Sequence, residues 1–238
     1  NEIGLDCQAY QPVHIYLNGR YWGIHNLRER LNEHFIASNH SVSSSEIDML
    51  EGQRNVIVGE VDSFDELLAY LRDGDPKGES FQDDIESMMD VSNFFDYIAI
   101  QIYIDNTDWP ENNIRYWKSR KPEGRWNWIP FDLDGGFDIQ HTGPDRNLLS
   151  DIIGTRNQSF RPAWIRYIVQ RLLQNSDFEQ RFIQRFQDLL NTTFSAGAVL
   201  TKAEKLERRL APEIDRHVER WGGSSSLDFV SFDSKAQW

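Results

Sequence analysis

Alternating apolar and polar residues near the N-terminus predict a β-hairpin. The alternation runs over residues 13–17, which are rich in strand-forming side chains, and a second such run covers residues 21–24. Between them stands Asn18-Gly19, a pair that supplies the tight turn joining two antiparallel strands. The later residues 39–52 are polar and rich in serine, and this composition predicts a connector.

Apolar residues at helical spacing predict several helices after this connector. Ser63 and Glu66 have the spacing of a capping box, which predicts a short helix over residues 64–72. Apolar side chains at positions 94, 95, 98 and 102 predict a buried helix over residues 90–104. The remaining predicted helices cover residues 163–173, residues 177–190 and a segment from residue 196 that bends or breaks before Pro212.

A polar loop and a second hairpin interrupt the helices. Pro110 and the density of Asn and Asp in residues 105–113 end the helix before them. Residues 114–117 and 126–131 are predicted strands, and two aspartates follow the second strand directly. The order of hairpin, helices, acidic loop, hairpin, acidic turn and helices predicts an α+β fold.

Composition narrows the possible functions. Apolar residues make up 39% of the 238, which is typical of a globular chain, and no stretch approaches the ~20 apolar residues of a membrane span. The net charge of −13 argues against general nucleic-acid binding, which depends on basic surface. An acidic protein that handles nucleotides needs divalent cations as a bridge. The single cysteine, Cys7, excludes an internal disulfide and a cysteine-based zinc site.

Carboxylates and amides concentrate in two short segments. Asp108 is followed five positions later by Asn113, on the loop that leaves the buried helix. Asp132 and Asp134 directly follow the second predicted strand, and alternate residues of an extended segment point the same way, so the two could share one cation. Mg²⁺ prefers oxygen ligands, and phosphoryl transfer needs metal ions and a carboxylate that orients the hydroxyl nucleophile. An Asp with Asn at i+5, then a short hairpin and a second Asp, is the arrangement of protein kinases.

Each segment also has a structural interpretation. Loops rich in Asn and Asp often only stabilise turns by bonding their own backbone, and a lone Asp-x-Asp pair is a weak signal. Because the polar loop and the Asp-x-Asp pair both occur, each at the end of a buried element, a functional site is favoured over a purely structural role. The tryptophans at positions 109, 117, 126 and 128 are interpreted as hydrophobic packing around these loops, with a sugar-binding platform as the alternative.

Three ordered motifs resemble those of a known family. Residues 15–29 read IYLNGRYWGIHNLRE and look like the signature vyLNGxYwGxYxLxE. Residues 106–117 read NTDWPENNIRYW and look like NxDxxxxN…yw, and residues 126–134 read WNWIPFDLD, similar to wxxiPwDlD. The chain thereby resembles the spore-coat protein H (CotH) kinase family over residues 13–221. This is an atypical branch of the protein-kinase-like fold, with members in bacterial spores, surface-associated or secreted proteins, and some fungi.

The resemblance implies roles for individual residues. Asp108 matches the catalytic Asp, which accepts or orients the proton of the attacking hydroxyl. Asn113 would bind a metal, with Asn112 as the competing candidate. Asp132 takes the place of the metal-binding Asp, and Asp134 would be a second ligand or its support. Glu29 would lie near the adenine, although a glutamate at that position could instead cap or bridge.

The resemblance also implies a two-lobed, kinase-like α+β fold. Residues 1–38 would form a partial β-rich N-lobe with the hinge, and residues 39–238 a larger helical C-lobe. The implied activity is transfer of the ATP γ-phosphate, with Mg²⁺ or Mn²⁺, to serine or threonine hydroxyls of a protein at a coat or cell surface. An extracytoplasmic location is also implied, because members of the family occur in spores and in surface-associated or secreted proteins. Two alternatives stay open: a non-catalytic module for surface adhesion or coat assembly, and a metal-dependent nucleotide-sugar transferase.

The N-terminal end departs from the family pattern. A glycine-bearing loop and a lysine that reaches the nucleotide phosphates should precede the first hairpin, yet only twelve residues do, and none is Lys or Arg. The C-terminal end stops short of the family's last helix. The kinase-like domain is therefore expected to be truncated at both ends, and this chain is expected to bind ATP poorly and to transfer phosphate slowly if at all.

Overall fold

The computed structural model describes residues 3–137, 146–154 and 162–222. Within these ranges it contains eight α-helices and two antiparallel sheets, which confirms the predicted α+β class. In chain order the elements are β1 (Tyr10–Leu17), β2 (Arg20–Arg28), α1 (Glu33–Asn39), β3 (Ile47–Glu51), β4 (Asn55–Val58), α2 (Asp62–Asp73), α3 (Phe81–Met88), α4 (Val91–Tyr103), β5 (Ile114–Ser119), β6 (Asn127–Pro130), α5 (Leu148–Ile153), α6 (Ala163–Leu172), α7 (Ser176–Asn191) and α8 (Ala196–Trp221). No helix in the described part of the chain has the length and apolar character needed to cross a membrane.

The described residues fall into two compact units. One lies within Asn1–Cys7 and Arg30–Asn191, and the other within Gln8–Glu29 and Thr192–Trp238. The division into lobes at residues 38 and 39 stays a prediction, and each unit is described by itself.

The smaller unit contains the first hairpin and helix α8. The predicted turn is confirmed, because Asn18 and Gly19 both adopt positive φ between β1 and β2. The indole N–H of Trp221 on α8 donates to the Trp22 carbonyl oxygen (2.7 Å). Helix α8 is continuous across Pro212, so the predicted break is wrong, whereas the bend that was the alternative stays a prediction. A proline removes one backbone hydrogen bond, and the other turns of this 26-residue helix still form.

The larger unit is organised around a four-stranded sheet of order β4-β3-β5-β6. The sheet shows that the predicted connector is wrong, because residues 39–52 contain β3, one of the two inner strands. Ile47, Met49 and Leu50 are fully buried there, so the strand is held by burial on both faces. The serine-rich residues that dominate the composition lie before the strand.

Each face of this sheet packs against a different cluster. One face carries Leu50, Tyr116 and Trp128 into the main core, which also includes residues of α2, α4, α6 and α7. The other face carries Met49 and Trp117 into a smaller cluster with Leu31 and residues of α1. Strand β5 therefore lies between two packed layers, and this packing holds the segments at its two ends in place.

Helix ends account for further differences from the sequence-based expectations. Helix α2 begins at Asp62, and the Ser63 side chain makes no capping hydrogen bond, so the predicted capping box is wrong. Helices α3 and α5 were not expected, since each is only six to eight residues long.

Hydrogen bonds of Asn93 fasten α4 to β6. The Asn93 side chain donates to the Trp128 carbonyl oxygen (3.3 Å) and accepts from the Trp128 backbone N–H (2.6 Å).

Candidate active site

The two polar segments meet at one end of the four-stranded sheet. Strands β5 and β6 are antiparallel, and Ile114 at the start of β5 pairs with Pro130 at the end of β6. The residue before β5, Asn113, therefore lies beside the residues that follow β6. The loop from Asp105 to Asn113 enters this place directly from the end of α4.

The Asn113 side chain joins the two segments. Its Nδ2 donates to a carboxylate oxygen of Asp108 (2.7 Å) and to the main-chain oxygen of Asp132 (3.2 Å). The other Asp108 oxygen accepts from Nδ2 of Asn112 (2.8 Å). Two amides thus fix the orientation of the Asp108 carboxylate, and its oxygens keep lone pairs with which to accept a further proton donor.

Backbone conformation at this junction is also distinctive. Asn113 and Asp132 both have positive φ, 60° and 51°, as does Asp105 at 49°. Such values are uncommon outside glycine, although Asn and Asp tolerate them better than other residues. The three turns redirect the chain sharply at the helix end and at the two strand ends, which brings the polar groups together.

Asn106 supports Asp108 from inside the protein. Its side chain is fully buried, its Oδ1 accepts from the Asp108 backbone N–H (3.1 Å), and its Nδ2 donates to Oε1 of Gln101 on α4 (2.9 Å). A buried polar side chain with satisfied bonds rigidifies its surroundings. Sequence reasoning missed this residue, although its place two positions before Asp108 in the polar run was a usable signal.

A second contact from α4 holds the middle of the loop. The indole N–H of Trp109 donates to the Tyr97 hydroxyl oxygen (2.8 Å). Burial raises the pKa of the Tyr97 phenol far above its usual value, so the group stays neutral. Tyr97 and Gln101 are one helical turn apart, and they present both supports from one face of α4. The Trp109–Pro110 peptide bond in this loop is cis.

Gly135 brings the segment after β6 against the loop. Its carbonyl oxygen accepts from the backbone N–H of Thr107 (2.9 Å) and from the Thr107 hydroxyl (2.8 Å). A Cβ at position 135 would lie 2.6 Å from Asn106 Oδ1 and 3.0 Å from the Asp108 Cβ. Only glycine permits this approach. The Gly-Gly pair after the two aspartates was the missed signal.

Three candidates remain, Asp132, Asp134 and Glu29. The side chains of Asp132 and Asp134 are exposed. Glu29 belongs to the smaller unit, where its carboxylate accepts from the Ala9 backbone N–H (2.8 Å). Glu29 thus makes the bridging contact that was the alternative to adenine proximity, and its place near an adenine stays a prediction.

Comparison with known families decides the assignment. A family model described as CotH kinase protein matches residues 1–238, the whole chain. The chain belongs to the CotH kinase protein family. The resemblance of the three motifs is thereby confirmed, and the molecule is a CotH-type, kinase-like protein. A search of curated proteins gives no match.

The donor set at this CotH site suits a hard divalent cation. In the described part of the chain, no group of three His, Cys, Asp or Glu side chains is placed to hold a metal ion. Mg²⁺ does not need such a cage, because it keeps several waters and binds one or two carboxylates with the substrate phosphates. The Nδ2 of Asn113 is directed to Asp108 and to the main chain of Asp132. The Oδ1 of Asn113 and the exposed carboxylate of Asp132 are oxygen ligands of the type that Mg²⁺ prefers.

The tryptophans around the CotH site serve packing, as predicted. Trp109, Trp126 and Trp128 are almost completely buried, and Trp117 is 5% exposed. Trp126 and Trp128 pack with the Tyr116 ring in the main core. Their indole faces are not available as a sugar-binding platform.

Proposed function

We propose that this protein transfers the γ-phosphoryl group of ATP to serine or threonine hydroxyls of a protein. The observation that carries the proposal is the Asn113 side chain, which bonds the Asp108 carboxylate and the Asp132 main chain at 2.7 and 3.2 Å. It couples a carboxylate suited to receive a proton with a segment suited to bind a cation. Family membership supports the kinase class.

Asp108 is the proton acceptor in this proposal. Its carboxylate is oriented by Asn112 and Asn113, and its backbone N–H is held by buried Asn106. An acceptor hydroxyl that donates to Asp108 is aligned for attack on the γ-phosphorus. The proton passes to the carboxylate as the new O–P bond forms, and the bond from the γ-phosphorus to the β–γ bridging oxygen breaks, so that ADP leaves with that electron pair. Because the amides leave lone pairs on the carboxylate, the hydroxyl can bind without displacing them.

Asn113 and Asp132 would hold Mg²⁺ or Mn²⁺, with Asp134 and Asn112 as further oxygen donors. When bound, the cation neutralises charge on the phosphates. This matters in a chain of net charge −13, where a triphosphate beside carboxylates is otherwise repelled. The acceptor protein is proposed to lie at a coat or cell surface, outside the cytoplasm, in keeping with the family.

Two substitutions separate the proposed roles. Asp132→Asn is expected to remove metal-dependent ATP binding, whereas Asp108→Asn should retain binding and lower the transfer rate by 10² or more, roughly the contribution of a positioned base. Calorimetric titration of ATP with Mg²⁺ or Mn²⁺ and transfer of labelled phosphate measure the two effects. Asp83→Asn, an exposed change on α3, is the matched control and should alter neither.

The same titrations discriminate the alternatives. Cation binding without nucleotide turnover would favour a non-catalytic module. Tighter binding of UDP- or GDP-sugars than of ATP would favour a nucleotide-sugar transferase. Loss of ATP binding in Asp108→Asn with retention in Asp132→Asn would reverse the assigned roles.

A further inference from the structure

The side chain of Arg115 holds together three segments next to the candidate site. Arg115 lies on β5, two residues after Asn113, and its side chain is largely buried at 18% exposure. Its Nη1 donates to the Leu31 carbonyl oxygen (2.8 Å), and its Nη2 donates to Oε2 of Glu51 at the end of β3 (2.6 Å). The guanidinium also lies over the ring of Phe131, 4.9 Å from its centroid.

Strand pairing explains how one guanidinium reaches Phe131. Arg115 is directly opposite Ile129 on β6, and Phe131 is two residues farther along the same face. Phe131 packs on the smaller cluster that contains Leu31, and it immediately precedes Asp132. A planar guanidinium can stack on a ring and use its fork for hydrogen bonds at the same time, which an ammonium cannot do.

We propose that Arg115 is a positioning residue for Asp132, the residue assigned above to cation binding. The guanidinium fixes the Phe131 ring, and Phe131 fixes the point at which the chain turns into the positive φ of Asp132. The anchors on Leu31 and Glu51 keep the guanidinium in place. This inference rests on the proposed function for its chemistry, whereas the positioning itself is a property of the protein without ligands.

A second arginine of the same sheet provides a matched control. Arg120, just after β5, donates through Nε to Oδ1 of Asp48 on β3 (2.7 Å). Both arginines therefore link β5 to β3 by an ion pair. Arg120, however, follows the end of β5 where Ser119 pairs with Ile47, and Asp132 follows β6 at the opposite end, where Ile114 pairs with Pro130. Loss of an ion pair affects both variants, whereas loss of positioning affects only the Arg115 variant.

The test compares Arg115→Met, Arg115→Lys and Arg120→Met by two measurements. Hydrogen exchange of the backbone amides from Asp132 to Gly136, without ligands, should become about tenfold faster in Arg115→Met and stay within twofold in Arg120→Met. Mn²⁺ affinity in the presence of a non-hydrolysable ATP analogue should fall about tenfold in Arg115→Met and stay within twofold of wild type in Arg120→Met. Arg115→Lys keeps the charge beside Glu51 but loses the forked hydrogen bonds and the stacking on Phe131. Its exchange rate and its Mn²⁺ affinity should therefore lie between those of wild type and those of Arg115→Met.

The outcomes separate this inference from the proposed function. Equal exchange in Arg115→Met and wild type, or equal acceleration in Arg120→Met, would overturn the positioning role. If wild-type protein binds neither Mn²⁺ nor the analogue, the proposed function fails, and the exchange measurement still decides the role of Arg115. If Arg115→Met does not fold, the exchange and affinity of Arg115→Lys decide it.

Discussion

Replacing Gly135 by alanine should damage the site through one methyl group. An ideal Cβ at this position lies 2.6 Å from Asn106 Oδ1 and 3.1 Å from the backbone nitrogen of Asp108. Asn106 cannot swing away, because its side chain is fully buried and bonded to both Gln101 and Asp108. The methyl group must therefore push the loop away from the segment that follows β6.

The cost follows from two contributions. Overpacking of a well-filled site costs about 1–3 kcal/mol. If Asn106 shifts enough to release the buried Asp108 N–H, the unsatisfied group adds about 1–3 kcal/mol. When both contributions apply, Gly135→Ala should lower the free energy of unfolding by about 2–6 kcal/mol. Phosphate transfer should fall more than the folded fraction does, since Asp108 itself moves.

Denaturant unfolding and transfer assays on folded protein measure these effects separately. Gly197→Ala is the matched control. Among the described residues, and apart from its chain neighbours and the adjacent helix backbone, a Cβ at position 197 in the first turn of α8 meets no atom within 4 Å. Alanine there should leave stability unchanged or raise it by up to about 1 kcal/mol. If Gly135→Ala unfolded at the same denaturant concentration as wild type with full activity, the close approach of Gly135 to Asn106 would be refuted.

Two tyrosine-to-phenylalanine changes give further predictions. Tyr97→Phe removes the acceptor of the Trp109 indole N–H, so we expect unfolding free energy to fall by about 1–3 kcal/mol, measured by denaturant titration. Tyr70→Phe removes the hydroxyl that donates to Asp84 (2.6 Å) and holds the pKa of that carboxyl below its usual value. A lowered folded-state pKa stabilises the protein above the unfolded pKa of about 3.9, and the gain is lost as pH falls through the folded value. The stability difference from wild type should therefore be larger at neutral pH than at pH about 3, and an equal difference at both would contradict this.

Local signals allowed some elements to be predicted from the sequence. The turn at Asn18-Gly19 needs only two residues with positive φ, and both are of the types that adopt it. The periodic apolar face of α4 is likewise formed by residues close together in the sequence, and the helix ends at Tyr103, just before the polar loop that contains Pro110. The site's polar residues were found because they follow such elements directly.

Features that depend on distant residues could not be predicted in this way. Strand β3 is short, and it is held in place by pairing with β4 and with β5, whose partner residues are some 70 positions away. Its serine-rich surroundings therefore outweighed its apolar residues. The role of Asn106 depends on Gln101 across a helix end, and that of Gly135 on the close approach of a loop 28 residues earlier. The polar run and the Gly-Gly pair mark the two positions in the sequence, but which groups they contact follows only from the folded chain.

The most direct test of the proposed phosphoryl transfer is a crystal structure with a non-hydrolysable ATP analogue and Mn²⁺. The anomalous signal of the ion should lie about 2.1 Å from Oδ1 of Asn113 and from an Asp132 carboxylate oxygen, the usual range for such small, hard cations. The γ-phosphate should face Asp108, leaving room for an acceptor hydroxyl between them. A nucleotide bound elsewhere, or an ion that contacts neither Asn113 nor Asp132, would contradict the account.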